Sequence, residues 1–182
     1  MKQEIIDYVE ALAEDRDPLA CDVLLELMYY HGYQHDDHDR MLELARFGQS
    51  EGLIGSESIL GQMLFDGYEE KPKYKIALRY LRNAAEAGDH EACKYLGLAY
   101  FKGLGVIRDR KKAFKWFKQA GDSLGSAEIY LIIYLIYHNG IGVIKSEEKA
   151  NAYYDKALKY LDEKESIEEA IDRVKKKLEI ES

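Results

Sequence analysis

The first residues in the chain whose types could do chemistry are the five at positions 35–39, which read HDDHD. Imidazole nitrogens and carboxylate oxygens are ligands for zinc and other transition metals, provided that the side chains converge on one point. His31 lies four residues before this stretch, so His31, His35 and His38 form a candidate site for a metal-dependent enzyme. Whether these side chains converge depends on the secondary-structure element that carries them.

Other catalytic motifs are missing from the sequence. No GxSxG turn presents a nucleophilic serine, and no GxxxxGK[ST] loop is present to bind phosphate. The two cysteines, Cys21 and Cys93, lie 72 residues apart in apolar helical stretches, so we expect buried free thiols in a reducing compartment. The sequence therefore predicts no cofactor.

The composition predicts one α-helical domain or repeat array. The 182 residues are 47% hydrophobic and 33% charged, with only two prolines, and no run of alternating β-branched residues suggests a sheet. There are 34 acidic and 26 basic residues, a formal charge of −8. This charge disfavours nucleic acid as a ligand and favours a basic partner.

The N-terminal and the most apolar segments both predict a cytoplasmic protein. Residues 1–17 carry acidic residues throughout and lack the apolar core of a signal peptide. The most apolar window, residues 129–137, is far shorter than the ~20 residues that span a bilayer. We therefore expect no membrane segment.

The sequence repeats itself at a period of 35 to 37 residues. GLGVIRDRKKAFKWFKQA begins at Gly103 and GIGVIKSEEKANAYYDKA begins at Gly140, a spacing of 37, and weaker copies place Gly67 and Gly32 at the equivalent positions. A fixed period of this length is typical of helical repeat proteins, in which each unit packs against its neighbours.

Each copy reads as a helix, a glycine loop and a second helix. The four glycines just named follow a helical pattern, where a left-handed C-terminal cap is favoured. Asp109 and Ser146 supply N-caps for the second helices, whereas Lys73 breaks this pattern. The predicted core positions of the third copy are Ala92, Leu96, Tyr100, Ala113, Trp116, Phe117 and Ala120.

The second helix of the third copy carries a basic stretch between Arg108 and Lys118. Basic residues interleaved with aromatic ones are typical of nucleic-acid-binding faces. Here the aromatic residues fall on core positions of the repeat and the rest of the chain is acidic, so we interpret the lysines as a solvated face.

These spacings resemble the Sel1-like repeat, a relative of the tetratricopeptide repeat. The third copy fits best, with the pattern A-x3-LG-x2-Y-x2-G-x-GV-x5-KA-x2-W-x3-A between Ala92 and Ala120, while Tyr134 and Glu26 replace the Leu-Gly glycine in the fourth and first copies. The resemblance implies an all-α, right-handed superhelical solenoid of about four antiparallel helix pairs with capping helices. The predicted divisions are 1–16 (N-terminal capping helix), 17–52, 53–88, 89–125 and 126–161 (repeats 1 to 4) and 162–182 (C-terminal capping helix).

Amphipathic segments at the two ends of the chain suit the capping role. Asp17 as N-cap and Pro18 as first helical residue separate the first segment from repeat 1. The first segment, residues 2–14, has an apolar face that holds Ile5, Ile6, Val9 and Leu12. The face of segment 166–178, which we expect to cover residues 129–137, holds Ile167, Ala170, Ile171, Val174 and Leu178.

The resemblance implies a noncatalytic module for protein–protein interaction, because the first helices of such repeats line a concave surface. Family members serve as adaptors or scaffolds in signalling and secretion, and some small bacterial ones resemble immunity proteins that neutralise a toxin. The acidic charge suits a basic toxin or effector as partner. From the helical phase, the residues expected to face this partner are Leu27, Tyr30, His31, Gln62, Phe65, Asp66, Tyr95, Phe101, Lys102, Leu135 and His138.

The repeat register also changes the interpretation of the HDDHD stretch. It lies in the loop between the two helices of the first copy, where Asp37 occupies the position of Asp109 and Ser146. Asp36 and Asp39 add favourable negative charge at the start of that helix. We therefore expect an acidic rim of a binding surface, with the metal-dependent enzyme as the alternative hypothesis.

Overall fold

The computed structural model describes residues 2–33, 37–68, 71–123, 125–162 and 164–180. Within these ranges the chain forms ten α-helices and no strand, so the all-α prediction is confirmed, whereas the superhelical handedness and the repeat count stay predictions. None of these helices is long and apolar enough to cross a membrane. Their bounds are α1 (Lys2–Glu14), α2 (Pro18–His31), α3 (His38–Ser50), α4 (Ile54–Asp66), α5 (Tyr74–Glu86), α6 (His90–Lys102), α7 (Arg110–Ser123), α8 (Ala127–Asn139), α9 (Glu147–Leu158) and α10 (Ile167–Leu178).

The chain divides into two compact units, Met1–Ala92 and Cys93–Ser182. The first unit contains α1 to α5, the second contains α7 to α10, and α6 begins in the first unit and continues in the second. The first unit has 20 acidic and 9 basic residues, a formal charge of −11, while the second has 14 acidic and 17 basic residues, a charge of +3. The net negative charge of the chain therefore comes from its first unit.

In the first unit, α2 packs against α1, α3 and α4, and α4 packs against α3 and α5. Helix α4 is covered on nearly all sides, because every residue of the segment 58–65 is buried. A Cβ atom on Gly61 would lie 2.8 Å from Leu81 Cγ, so glycine lets α4 and α5 approach closely. The largest fully buried side chains of this unit are Leu24, Leu25, Met28, Met41, Ile59, Met63, Leu78 and Leu81.

Two aspartates begin the helices of the first pair, as the sequence predicts. The backbone N–H of Ala20 donates to Asp17 Oδ1 at 2.9 Å, and Pro18 is the first residue of α2. The backbone N–H of Arg40 donates to Asp37 Oδ1 at 3.0 Å at the start of α3. These side-chain oxygens satisfy N–H groups that have no partner within the helix.

The other helix ends for which the sequence makes a prediction also agree with it. Asp109 and Ser146 each accept the N–H group three residues further on, whereas Lys73 makes no side-chain cap at α5. The four glycines predicted to end the first helices have φ angles between 67° and 86°. Because a Cβ atom is strained in this left-handed region, glycine is the favoured residue there.

In the second unit, α8 packs against α7, α9 and α10. Between α6 and α7, a Cβ atom on Gly97 would lie 2.5 Å from two ring carbons of Phe117, which is fully buried. At the equivalent point between α8 and α9, the ring of Tyr134 meets the edge of Tyr154, with centroids 5.5 Å apart. Trp116, predicted as a core residue, is only half-buried because the adjacent Phe117 takes the inward direction of α7.

Helix α10 packs against α8 and has a well-defined start. Ser166 and Glu169 form a capping box, in which the side chain of each accepts the backbone N–H of the other. Ala170, Val174 and Leu178 are buried beneath it. These three residues give α10 a continuous apolar contact surface.

Helix α1 packs against α2 less completely. Ala13 is buried, Val9 and Leu12 are half-buried, and Ile5 is 61% exposed. The prediction that Ile5 lies on a covered face is therefore wrong. The contact with α2 is concentrated near the C-terminal end of α1, so the first turn keeps its apolar side chain in water.

Candidate functional site

The predicted partner-facing residues of the first unit differ in burial. Those that keep solvent-accessible surface are Leu27, Tyr30, His31 and Asp66. Gln62 and Phe65 are only 1% and 7% exposed, because α4 is covered on nearly all sides. Gln62 Nε2 donates to the Tyr30 hydroxyl at 2.7 Å, and the Phe65 ring lies 5.0 Å from that of Tyr74. Gln62 and Phe65 thus make internal contacts, which does not fit a role in facing a partner.

The second unit shows the same division. Tyr95, Lys102 and His138 keep accessible surface, while Phe101 and Leu135 are 3% and 1% exposed. The Phe101 ring packs within the unit, with its centroid 6.3 Å from that of Phe117. As in α4, the inner side of the helix holds residues that the helical phase assigned to the surface.

The side chains of Lys102 and His138 each contact a carboxylate. Lys102 Nζ lies 2.8 Å from Glu179 Oε1, and His138 Nδ1 lies 3.0 Å from Glu147 Oε2. A partner that used either side chain would have to share or break one of these contacts. The accessible surface of the first unit is the better candidate.

A stripe of exposed residues runs along α2. Leu19, Val23, Glu26 and Tyr30 follow one another at spacings of four, three and four, which places them on one side of the helix. All four are exposed, with 68% for Leu19, 46% for Val23 and 45% for Tyr30. We call these four residues the α2 face. The helical phase identifies Tyr30 as partner-facing but not the other three, although their spacing of three and four residues carries the signal.

The carboxylate of Glu26 lies in a negative electrostatic environment. Burial raises the pKa of the Glu26 carboxyl, and the charges of Asp22 and Asp89 raise it further, while His31 acts in the opposite direction. When the pKa of a carboxyl group is raised, an approaching cation stabilises its ionised form. The α2 face therefore carries a carboxylate whose charged form a nearby positive charge would stabilise.

The pKa of the Tyr30 hydroxyl is affected by the same negative environment. Burial of its hydroxyl beside Gln62 raises the pKa of Tyr30, although 45% of the residue is exposed. The hydrogen bond from Gln62 opposes this shift, and the carboxylates of Glu91, Asp89 and Glu26 add to it. The ring is thus fixed by an internal hydrogen bond while part of its surface stays available.

The HDDHD stretch forms no ligand cluster in the part of the chain that the structure describes. Asp37 caps α3, and the ring of His38 lies against that of Tyr68 with centroids 4.9 Å apart. His35 and Asp36 lie outside the described residues. Among the described residues, no group of three His, Cys, Asp or Glu side chains could hold a metal ion.

The two cysteines are internal, as the sequence predicts. Both Cys21 and Cys93 are free and buried. Burial raises the pKa of the Cys21 thiol, whose Sγ donates to the carbonyl oxygen of Ala13 at 3.6 Å. Since the thiolate is the reactive form, Cys21 serves the packing of α1 against α2.

The sequence model of the Sel1 repeat matches residues 56–89, 90–123 and 135–159, about half of the chain. The chain belongs to the Sel1 repeat family. Proteins of this family generally mediate protein–protein interactions and typically act as noncatalytic scaffolds. The comparison with curated proteins found no match.

Solved structures of Sel1 repeat proteins share the fold of this chain. A protective antigen present in uropathogenic Escherichia coli strains, which displays an SLR fold, has a TM-score of 0.69 and 22% identity over 85% of this chain. A Sel1 repeat protein from Oxalobacter formigenes has a TM-score of 0.68 and 21% identity over 86% of this chain. A putative Sel1 repeat protein from Klebsiella pneumoniae subsp. pneumoniae has a TM-score of 0.59 and 18% identity over 97% of this chain. This chain spans 33%, 67% and 83% of those three proteins, respectively.

Proposed function

We propose that this Sel1 repeat protein binds a basic region of a protein partner through the α2 face and acts without catalysis. One combination carries the proposal: exposed Leu19, Val23 and Tyr30 on the same helix side as a carboxylate, Glu26, whose pKa is raised. Apolar and aromatic side chains supply contact area, and a positive charge beside Glu26 relieves its repulsion with neighbouring carboxylates.

The finer proposal is an immunity protein that neutralises a basic toxin in the cytoplasm. The formal charge of −11 on the first unit supports this role, because a large charge of one sign steers an oppositely charged partner and speeds association. An adaptor in signalling or secretion is the alternative. The predicted partner-facing residues that keep accessible surface stay in the proposal: Leu27, His31, Asp66, Tyr95, Lys102 and His138.

Affinity capture from cells of the source organism tests the role of the α2 face. Glu26→Lys and Glu86→Lys change the charge of the first unit equally, at exposed positions, but Glu86 lies at the end of α5 and outside the α2 face. We expect the wild-type protein and Glu86→Lys to retain the same basic protein. Glu26→Lys should retain about tenfold less of it. Equal capture by both variants would contradict the proposal.

Co-expression separates the immunity protein from the adaptor. If the captured protein stops growth when it is produced alone, the wild-type chain should restore growth and Glu26→Lys should not. A captured protein that is harmless when produced alone would favour the adaptor. Metal analysis of the purified, tag-free protein tests the alternative enzyme hypothesis, which a stoichiometric transition metal would support.

A further inference from the structure

An open cavity of about 640 Å³ lies in the second unit. It is lined by residues 106–112, around the start of α7, together with Tyr100 and Gly142. Gly142 has a φ of 73°, and a Cβ atom on it would lie 2.7 Å from the backbone carbonyl carbon of Arg110. Glycine thus allows the loop of the fourth helix pair to sit directly on the first turn of α7, which closes one side of the cavity.

The cavity lining is strongly basic. It contains Arg108, Arg110, Lys111 and Lys112, against one acidic residue, Asp109, whose carboxylate already caps α7. Within the described residues, Arg108 and Lys111 have no ion-pair partner. Their charges are therefore available to a ligand, and they stand in a chain whose net charge is negative.

The same lining includes an exposed aliphatic side chain. Ile107 is 92% exposed and lies beside the basic residues. Ile144, its equivalent one repeat later, is 91% exposed but is not part of the cavity lining. Its neighbour Lys145 is paired with Glu147 at 3.0 Å. Unpaired positive charge and exposed apolar surface thus coincide at Ile107, whereas the charge beside Ile144 is neutralised.

We infer that this cavity binds a short acidic segment of a protein, with carboxylates facing Arg108 and Lys111 and an aliphatic side chain packed against Ile107. Opposite charges give such a contact its specificity, and burial of Ile107 adds to its affinity. The inference is independent of the proposed function, because the α2 face lies in the other unit and favours the opposite charge.

Two other anionic partners fit the cavity less well. Single-stranded nucleic acid needs exposed aromatic rings on which bases stack, but Tyr100 is half-buried and the Nζ atom of Lys112 lies 5.5 Å above its ring. A lipid surface contacts a protein over one plane, whereas the lining here comes from separate segments, among them residues 106–112 and the loop that carries Gly142. A peptide segment satisfies both the shape and the charge.

Fluorescence anisotropy with the full chain tests the charge requirement. The probe is a short fluorescein-labelled peptide of aspartate and glutamate around one leucine. The double variant Arg108→Glu/Lys111→Glu should weaken binding at least about tenfold. The matched control Lys118→Glu/Lys176→Glu, which makes the same charge change at exposed positions outside the cavity, should stay within about twofold of wild type. Lys111 lies in the first turn of α7, where negative charge favours the helix, and a circular dichroism spectrum equal to that of wild type shows that the double variant is folded.

A second pair of variants tests the apolar contact. Ile107→Ser should weaken binding about fivefold, and the equally exposed control Ile144→Ser should stay within about twofold. The inference is overturned if the peptide does not bind, or if the cavity and control variants weaken it equally. It is also overturned if single-stranded DNA or phosphatidylserine vesicles bind more tightly than the peptide.

Discussion

The helix pairs α6–α7 and α8–α9 carry the same GxGVI loop 37 residues apart, but they meet through different residues. In α6–α7, Gly97 lets the buried ring of Phe117 lie against the α6 backbone. In α8–α9, Tyr134 occupies the glycine position and meets the edge of Tyr154, and both tyrosines are half-buried. The repeat therefore requires that the two side chains fit each other, and it tolerates different residue types at either position as long as they do.

The largest difference should appear when α10 is removed, because α10 packs against α8, whereas α6 is linked to this end of the chain by the exposed Lys102–Glu179 ion pair. Ending the chain after residue 160 deletes the buried Ala170, Val174 and Leu178 and exposes α8, whose mid-section is almost wholly apolar. We expect low soluble yield and loss of cooperative urea unfolding, measured by circular dichroism. A soluble fragment with a single sharp transition would show that α10 does not protect α8.

Truncation of the two facing aromatic residues should give the next largest difference between the two helix pairs. Phe117→Ala removes a fully buried ring and should lower the free energy of unfolding by about 4 kcal/mol. Tyr154→Ala removes a half-buried ring and should cost about 2 kcal/mol. Urea unfolding of both variants measures the difference, and equal losses would mean that the two pairs are packed alike.

Substitution at the glycine position should give a smaller contrast in the same direction. Gly97→Ala puts a Cβ atom into the Phe117 ring and should destabilise by about 2 kcal/mol, whereas Tyr134→Ala loses one ring edge and should cost about 1 kcal/mol. Adding Phe117→Leu to Gly97→Ala should cost less than the sum of the two single changes. If the two losses in free energy of unfolding simply add in this double-mutant cycle, a clash between the new Cβ atom and the Phe117 ring is not the cause of the Gly97→Ala destabilisation.

An acid-sensitive contact between α8 and α10 gives the smallest expected effect. Burial on its own would raise the pKa of Glu128, but the charge and hydrogen bond of Lys177, aided by Lys94 and Arg173, lower it below its ordinary value of 4.5. Folding therefore favours the ionised carboxylate, so its contribution is present above pH 4.5 and is lost as pH falls through the lowered pKa.

Glu128→Gln should lower the free energy of unfolding at neutral pH by about 1 kcal/mol, since the pair is partly exposed. The difference between wild type and variant should shrink as pH is lowered below about 4.5. Urea unfolding across this range measures it. A difference that stays constant with pH would show that the carboxylate charge is not responsible.

Helix ends were predictable from the sequence because their causes are local. Asp17, Asp37 and Ser146 bond to N–H groups within three residues, and the loop glycines relieve strain at single positions. No knowledge of the neighbouring helices is needed for either effect. The same local signals show that HDDHD contains a helix start.

Partner-facing positions were less predictable, because helical phase locates a solvent side only where a helix has one. Residues 58–65 of α4 are all buried, so the positions of Gln62 and Phe65 on the helix say nothing about access. Helix α2 does have an exposed side, and there Leu19, Val23 and Glu26 were readable by spacing. The net charge of −8 likewise conceals two units of opposite sign until their boundary is known.

The matched contacts in α6–α7 and α8–α9 have a consequence for how such a gene can change. A large side chain at position 97 would overlap the ring of Phe117, so the Gly97–Phe117 and Tyr134–Tyr154 arrangements differ at both positions together. Recombination that exchanges a whole helix pair keeps the residue at position 97 or 134 with the aromatic residue it packs against. A crossover within the loop 103–109 would instead join a tyrosine to a phenylalanine that needs glycine opposite it, and would produce a chain that folds poorly.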